Sequence, residues 1–414
     1  MNLQISLMQA VVLAAGRGTR LYPLTLTRPK VMLPIANKPI LEHNLNELRR
    51  SGIDEVILVV GYKDDIIRNY FGDGSKLKIK IKYCTQRLLL GTAHALKSAL
   101  YLINDDQFLV INGDNIIGCD DIRRITNSNK MAIGVKKISN PKNFGVVDIS
   151  NDCTIKKIIE KPEKPTSNLI NAGIYKFEKD IIPFLDKVTL SKRGEFELTD
   201  AIQLAIDNNF KFKAVEIENW IDVSYPWNLL DANEVILKRL NKTVINGTIE
   251  KNVQIHGNVV IENGTIVRSG SYIVGPVIIG KNCEIGPNCY IRPYTSIGNN
   301  CHIGSFVEIK NSIIMANTNI PHLSYVGDSI IGEHCNLGAG TKVANLRFDN
   351  KSVKVTIKDR KVSTEKRKFG AAIGDHVKTG INVSINVGTL IGCNTIIAPS
   401  TLVGGYIKPN SKIF

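Results

Sequence analysis

From Ile249 to Ile309 an aliphatic residue recurs at every sixth position, through Ile255, Ile261, Val267, Ile273, Ile279, Ile285, Ile291, Ile297 and Ile303. A helix places apolar residues three and four apart and a half-buried strand two apart, so a strict period of six excludes either as a single element. It predicts short extended segments joined by turns and stacked coil on coil, a hexapeptide β-solenoid with one aliphatic side chain in six pointing inward. Gly280, Gly286, Gly298, Gly304, Gly332 and Gly338 fall near the expected turns. The phase shifts after Ile309, resumes at Ile331, Leu337 and Val343, breaks across 344–368, and returns at Ile385, Ile391, Ile397 and Val403. The break contains Lys351, Lys354, Lys358, Arg360, Lys361, Lys366, Arg367 and Lys368. A long basic excursion from a regular coil is expected to be functional, because long loops without their own repeat are uncommon.

Residues 9–240 carry a different pattern, in which apolar runs alternate with helical periodicity. It predicts strands at 10–13, 55–60, 108–111 and 131–135, with helices at 40–51 and 93–102 between some of them. This is an α/β domain with a mostly parallel, Rossmann-like sheet, whose ligands are expected beyond the carboxyl ends of the strands. A helix at 227–240 leads to Asn246-Gly247, where the repeat opens, so the expected domains are 1–240 and 241–414, the second carrying the basic insertion 346–368. At 414 residues the chain exceeds the roughly 250–300 over which a single core keeps growing.

Net charge is +15, from 53 Lys plus Arg against 38 Asp plus Glu. The cations are spread over both halves and no aromatic-interleaved stripe accompanies them, so no nucleic-acid partner is expected. Eight cysteines form no CxxC and no zinc spacing, which fits a reduced cytoplasm. The early apolar run 10–15 is too short to span a bilayer, and residues 1–9 lack the features of a signal peptide, so neither membrane nor export is expected. Met8 stands directly before the first strand, which makes residues 1–7 an extension or an upstream start.

The strand at 10–13 runs into Ala14-Ala15-Gly16-Arg17-Gly18-Thr19-Arg20, a glycine-rich turn with two cations, and Lys30 follows twelve residues after Gly18. Exposed backbone N–H groups and these cations suit phosphate. A dinucleotide fingerprint wants a third glycine where Leu21 stands, and a phosphate P-loop wants Gly-Lys-Ser/Thr, which is absent. The run from Leu13 to Lys30, with Arg28-Pro29-Lys30, resembles the sugar-1-phosphate nucleotidylyltransferases. That resemblance implies a triphosphate site at Leu13, Ala14, Gly16, Gly18 and Thr19, with Arg20 and Lys30 steadying charge on the reacting phosphates. It also implies a pyrimidine pocket at Gln86, Gly91 and Thr92, a sugar site at Gly145, Glu160 and Asn171, and Mg²⁺ held by Asp114 and Asp222. Ser224 stands where the family usually has glycine, and Arg87-Leu88-Leu89-Leu90 precedes Gly91 without the family's common proline, so the base is open between UTP and dTTP.

Within the repeat, residues 320–328 (Ile-Pro-His-Leu-Ser-Tyr-Val-Gly-Asp) and 336–341 (Asn-Leu-Gly-Ala-Gly-Thr) resemble segments of bifunctional enzymes that make UDP-N-acetylglucosamine. By that resemblance the solenoid is a left-handed parallel β-helix with a second active site. His322 is then a general base toward the amine of glucosamine 1-phosphate attacking acetyl-CoA, and Glu308 orients it. Arg292, Lys310 and Lys351 hold the sugar phosphate, with Lys354 a further candidate, Tyr325 and Asn336 lie on the sugar, and Asn345 lies near the thioester. Asn345-Leu346-Arg347-Phe348-Asp349 departs from the bacterial pattern toward a longer hairpin of archaeal relatives, which leaves glucosamine and galactosamine both open. Related β-helices build this site between subunits, which implies a homotrimer or a multiple of trimers. Two other readings stand beside this one: a single-activity glucose-1-phosphate or mannose-1-phosphate nucleotidylyltransferase with a regulatory or assembly β-helix, and a catalytically silent scaffold.

Overall fold

The computed structural model describes residues 8–414, so the proposed extension 1–7 lies outside the described residues. The chain forms two compact units that interleave in sequence. One comprises the chain to Arg17 with Pro29–Met32 and Ile40–Asp222; the other comprises Gly18–Arg28, Leu33–Pro39 and Val223–Phe414.

The first unit is built on a nine-stranded sheet. At its centre Gln9–Leu13 lies between Glu55–Val60 and Gln107–Asn112, with Lys80–Thr85 at the far edge, all parallel. The apolar runs predict this arrangement, since strands covered on both faces by helices read as continuous hydrophobic segments. The sheet becomes mixed at Leu169–Glu178, which runs antiparallel to Gln107–Asn112 and then pairs with Ala132–Lys137 and Gly145–Ile149. The helices Ile40–Arg50 and Thr92–Ala99 occupy the two helical stretches foreseen in the pattern.

The second unit is a left-handed parallel β-helix of three sheets with nine, nine and eight strands. Each inward aliphatic sits over its counterpart on the neighbouring coil: Ile255 over Ile273, Ile273 over Ile291 and Ile291 over Ile309, a coil of eighteen residues. The phase shift after Ile309 is a shortened corner. Ile309 pairs with Val326 and Ile314 with Ile331, seventeen positions on in each case. The basic excursion leaves from that same corner, between Val343 and Ala371. It folds as an antiparallel hairpin of Lys354–Ile357 with Arg360–Ser363, closed by Lys358 and Asp359 in left-handed conformation.

The glycines named from the sequence fall beside the turns, as expected, but the left-handed positions belong mostly to another residue type. Left-handed corners are filled mainly by asparagines such as Asn282, Asn300, Asn317 and Asn394, whose short polar side chains tolerate that conformation. Gly304 is required for a different reason: a Cβ there would lie 2.0 Å from the Pro321 carbonyl oxygen of the next coil. All eight cysteines are free thiols, and Cys283, Cys289, Cys301 and Cys335 line the coil interior.

One side of the β-helix is covered by its own unit. Asn233, fully buried on the helix Pro226–Leu237, accepts the Ala36 N–H at 2.8 Å and the Ser296 hydroxyl at 3.0 Å and donates to the Tyr294 carbonyl at 2.8 Å. Asn37 donates to the Ile297 carbonyl at 2.6 Å, so the segment Leu33–Pro39 is tied to the coils by hydrogen bonds. Interior and outward positions of the coils should respond unequally to truncation. Ile303→Ala empties a fully buried site and is expected to cost about 2–5 kcal/mol. Ile396→Ala removes an outward side chain that is 45% exposed and is expected to cost no more than about 0.5 kcal/mol, both read as shifts in urea unfolding.

Candidate functional sites

In the α/β unit the foreseen residues gather beyond the carboxyl ends of the central strands. Ala14 N–H bonds to the Val59 carbonyl at 2.8 Å and Gly113 N–H to the Leu13 carbonyl at 2.9 Å, so the loops after the three neighbouring strands are held side by side. Asn44 reinforces the last of them by donating to the Gly113 carbonyl at 3.0 Å. Lys30, on a short 3₁₀ turn and only 8% exposed, donates from Nζ to Asp114 Oδ2 at 2.6 Å. Asp222 ends the strand Trp220–Asp222, where it stands opposite Asn115, the residue after Asp114. Among the described residues no three metal-ligating side chains gather at one point.

A second cluster contains the sugar-site residues. Gly145 pairs with Glu160 across antiparallel strands, and a Cβ on Gly145 would lie 3.1 Å from Glu160 Oε2 and 3.4 Å from Asn171 Cβ. Asn171 donates to the Tyr175 hydroxyl at 2.6 Å. Burial first, and then the carboxylates of Glu160, Asp114 and Glu197, push the Tyr175 phenol well above its ordinary range, against the opposing effect of the Asn171 hydrogen bond. A third cluster is centred on Gln86, 4% exposed, whose amide donates to the Gly91 carbonyl at 3.1 Å and meets His94 Nδ1 at 2.9 Å. Thr92 accepts the Leu198 N–H at 3.0 Å.

The glycine-rich turn is less constricted than its sequence suggests. Gly16 has open space where a Cβ would point, while Gly18 needs its left-handed φ of 65°. Arg20 lies over the Tyr225 ring at 5.4 Å, both within the β-helix unit.

On the β-helix the predicted residues fall into two groups. At the shortened corner, Asp328 is 4% exposed and collects Lys310 at 3.2 Å, Asn311 at 2.8 Å and Asn345 at 2.5 Å. Asn345 also donates to the Tyr325 hydroxyl at 3.1 Å, and desolvation raises the Tyr325 pKa. One coil away, Glu308 accepts Arg292 at 2.8 Å. His322 ends a strand of the adjacent sheet with an exposed side chain, and Asn336 lies on that same sheet. Within the chain the Glu308 carboxylate is engaged by Arg292. Lys351 and Lys354 are exposed on the excursion, away from the hydrogen bonds of the Asp328 cluster.

Several participants escaped the sequence reading. Asp328 and Asn311 are the partners that organise Lys310, and Asp328 closed the very motif that pointed to His322. Lys368, one cation in a basic run, returns beside Lys310, whose ammonium depresses its pKa. Tyr175 lay four residues beyond Asn171, and Arg193, bridging Glu160 at 3.3 Å and Glu197 at 3.1 Å, sat in a polar loop without a motif.

Residues 9–239 match the Nucleotidyl transferase family, and the chain belongs to it. Residues 273–368 match the GMPPB C-terminal domain family. Full-length relatives define the class further. The chain is 48% identical to the "Bifunctional protein GlmU" of Methanocaldococcus jannaschii over 98% of this chain and 97% of that one. It is 47% identical to a bifunctional sugar-1-phosphate nucleotidylyltransferase/acetyltransferase of Sulfurisphaera tokodaii, over 96% and 97%. It is thus a member of the bifunctional nucleotidyltransferase/acetyltransferase family. A solved UDP-glucose pyrophosphorylase, 24% identical, superposes with a TM-score of 0.51 over 56% of this chain and 99% of that one, which is a likeness of fold.

The Asp328 cluster makes a stability prediction. Asp328→Asn leaves Lys310 without its carboxylate in a largely buried setting and should destabilise the β-helix by about 2–4 kcal/mol. Asn345→Ala removes hydrogen bonds but no charge and should cost about 1 kcal/mol, both measured by urea unfolding.

Proposed function

We propose that this chain carries out two steps toward UDP-N-acetylglucosamine in the cytoplasm: acetylation of glucosamine 1-phosphate by acetyl-CoA, then uridylyl transfer from UTP to N-acetylglucosamine 1-phosphate. The observation that carries the reading is the coexistence, in a chain with bifunctional full-length relatives, of the Lys30–Asp114 pair at the strand ends and the Asp328 cluster on the β-helix. Galactosamine 1-phosphate and dTTP are the further substrates to be compared.

In the nucleotidyl-transfer step a phosphate oxygen of the sugar 1-phosphate attacks the α-phosphorus in line. The new P–O bond forms as the bond to the β-phosphate oxygen breaks, and pyrophosphate leaves with the electron pair. Such a reaction asks for positioning and charge neutralisation rather than a protein nucleophile. Backbone groups of Leu13, Ala14, Gly16, Gly18 and Thr19 bind the triphosphate, Arg20 and Lys30 neutralise developing charge, and Gln86, Gly91 and Thr92 hold the base. Gly145, Glu160 and Asn171 hold the sugar. Asp114 and Asp222 would hold Mg²⁺, and a set of two carboxylates suits an ion that keeps its other positions for water and substrate phosphates. When bound, it supplies further neutralisation of phosphate charge.

In the acetyl-transfer step His322 accepts a proton from the glucosamine amine as the nitrogen attacks the thioester carbonyl, and the C–S bond breaks to release CoA. An imidazole can accept a proton at one ring nitrogen while a hydrogen bond at the other fixes its tautomer, which suits this role. Glu308 orients it, Arg292, Lys310, Lys351 and Lys354 hold the sugar phosphate, Tyr325 and Asn336 contact the sugar, and Asn345 faces the thioester. The acting assembly is a homotrimer or a multiple of trimers. In support, Leu323 beside His322 and Phe306 one coil away are exposed and left-handed, a costly conformation for large side chains unless a contact employs them. The match of residues 273–368 to the GMPPB C-terminal domain family favours a second reading, a single-activity nucleotidylyltransferase with a regulatory β-helix. That reading leaves His322 and Asn345 without a task.

Purified protein supplied with acetyl-CoA, glucosamine 1-phosphate, UTP and Mg²⁺ should release thiol and pyrophosphate together. Asp114→Ala or Asp222→Ala should lower pyrophosphate release by on the order of 10²–10³-fold and leave thiol release unchanged. His322→Ala should do the reverse, lowering thiol release by about 10²–10⁴-fold with no change in pyrophosphate release when N-acetylglucosamine 1-phosphate is supplied directly with UTP. No thiol release by the wild-type protein from either amino-sugar phosphate would favour the single-activity reading.

A further inference from the structure

Gln86 follows the edge strand Lys80–Thr85, and its backbone N–H donates to the Val60 carbonyl at 2.8 Å, so the sheet itself fixes its place beyond the strand ends. It is 4% exposed, and both hydrogens of its amide are engaged inside the α/β unit. One goes from Nε2 to the Gly91 carbonyl at 3.1 Å, the other from Nε2 to His94 Nδ1 at 2.9 Å. A carbonyl only accepts, so the contact with Gly91 decides which end of the amide is nitrogen. The His94 nitrogen that faces the same NH₂ group is then an acceptor, and the imidazole proton sits on Nε2. Gln86 Oε1 accepts no hydrogen bond among the described residues.

The frame behind this arrangement is stiff. His94 lies in the first turn of the helix Thr92–Ala99, and its ring stacks on Phe196 with centroids 6.4 Å apart and planes 25° apart. Phe196 donates its N–H to the Leu90 carbonyl at 2.7 Å, and its own carbonyl accepts the Ala93 N–H at 2.9 Å. Gly91 lies between those bonds with a φ of 104°, and a Cβ there would come within 2.5 Å of the Phe196 carbonyl oxygen. Both acceptors that hold the Gln86 amide are therefore held themselves.

A glutamine amide has two ends of nearly the same shape and opposite hydrogen-bonding sense. Left free, it turns to suit either uracil, whose N3–H donates, or cytosine, whose N3 accepts. Turning Gln86 would set Oε1 against the Gly91 carbonyl oxygen and the lone pair of His94 Nδ1, two contacts between acceptors in a buried place. We propose that His94 is a positioning residue for nucleobase choice: it locks the Gln86 amide with Oε1 toward the base, so that the site takes the N3–H of uracil or thymine and rejects cytosine. That edge is common to UTP and dTTP, so the lock does not separate one from the other. This inference rests on the reading that Gln86, Gly91 and Thr92 hold the base.

The test uses the full-length chain with N-acetylglucosamine 1-phosphate and Mg²⁺, and measures pyrophosphate release from UTP, dTTP and CTP together with thermal melting. His94→Leu keeps a side chain of similar bulk and removes the acceptor. It should raise the KM for UTP and lower the ratio of kcat/KM for UTP over CTP, each by on the order of 10-fold, the size expected for one hydrogen bond in a buried site. With UTP, kcat should stay within about threefold of wild type, since the base is bound equally in the ground and transition states. UTP and dTTP present the same N3–H, so their ratio should hold within about twofold. His94→Asn, which returns an acceptor oxygen near the position of Nδ1, should recover most of the lost selectivity. A purely structural lesion in the helix would instead lower melting, lower kcat with every nucleotide and leave the ratios alone, and that result overturns the proposal. Wild-type selectivity in His94→Leu beside lost selectivity in Gln86→Leu overturns the lock and leaves the base pocket standing. If Gln86→Leu keeps the preference for UTP over CTP, or the wild-type protein uses CTP as well as UTP, the base-pocket reading falls and the lock with it.

Discussion

The constraint on which the carboxy-terminal half depends is the stacking of one aliphatic side chain per six residues on the equivalent residue of the next coil. Burial of this column is non-directional, but the parallel hydrogen bonds between coils make it register-specific. Once Ile291 sits over Ile309 and Ile309 over Val326, every outward position is assigned a neighbour. The polar cluster at Asp328 follows from that register. Asn311 and Asp328 lie one shortened coil apart, Lys310 precedes Asn311, and Asn345 reaches the same carboxylate from the start of the excursion. A slip of a single residue would turn the column outward and scatter the cluster.

Charge is arranged on the same economy in each candidate site. A buried or half-buried cation is held by a carboxylate: Lys30 by Asp114, Lys310 by Asp328, Arg292 by Glu308. Such pairs keep their long side chains in place, while Lys368 stands beside a second cation, Lys310, which lowers its pKa. Arg28 differs in having two carboxylate partners and little exposure, which is the arrangement of an anchor rather than of a ligand group. A substrate phosphate could displace the partner of Lys30 far more readily than it could enter between Arg28 and its two carboxylates.

The interleaving of the two units gives these local facts a wider meaning. The glycine-rich turn begins in the α/β unit at Gly16 and continues in the β-helix unit from Gly18, and the chain crosses again on either side of Lys30. The strand pattern of the α/β unit and the period of the β-helix are each self-consistent folding instructions, but the loop that connects to Lys30 takes its hydrogen bonds from residues more than three hundred positions away.

Much of this protein was legible in its sequence. The six-residue period predicts the β-helix, because a single inward aliphatic recurring every six residues fits three short strands per eighteen-residue coil, and the alternation before residue 240 predicts the parallel centre of the α/β sheet. Motifs that act through backbone shape and charge, from Leu13 to Lys30 and from His322 to Asp328, also stood out, since they are contiguous. What the sequence left undetermined was every relation between distant positions. That Asp328 collects Lys310, Asn311 and Asn345, that Lys368 returns to Lys310, that Glu308 pairs with Arg292, and that Arg28 is gripped by Glu333 and Asp375 are decided by coil closure and by where loops come to rest. Periodicity records which side of an element is buried; side-chain partnership depends on the few ångströms that only the folded chain supplies.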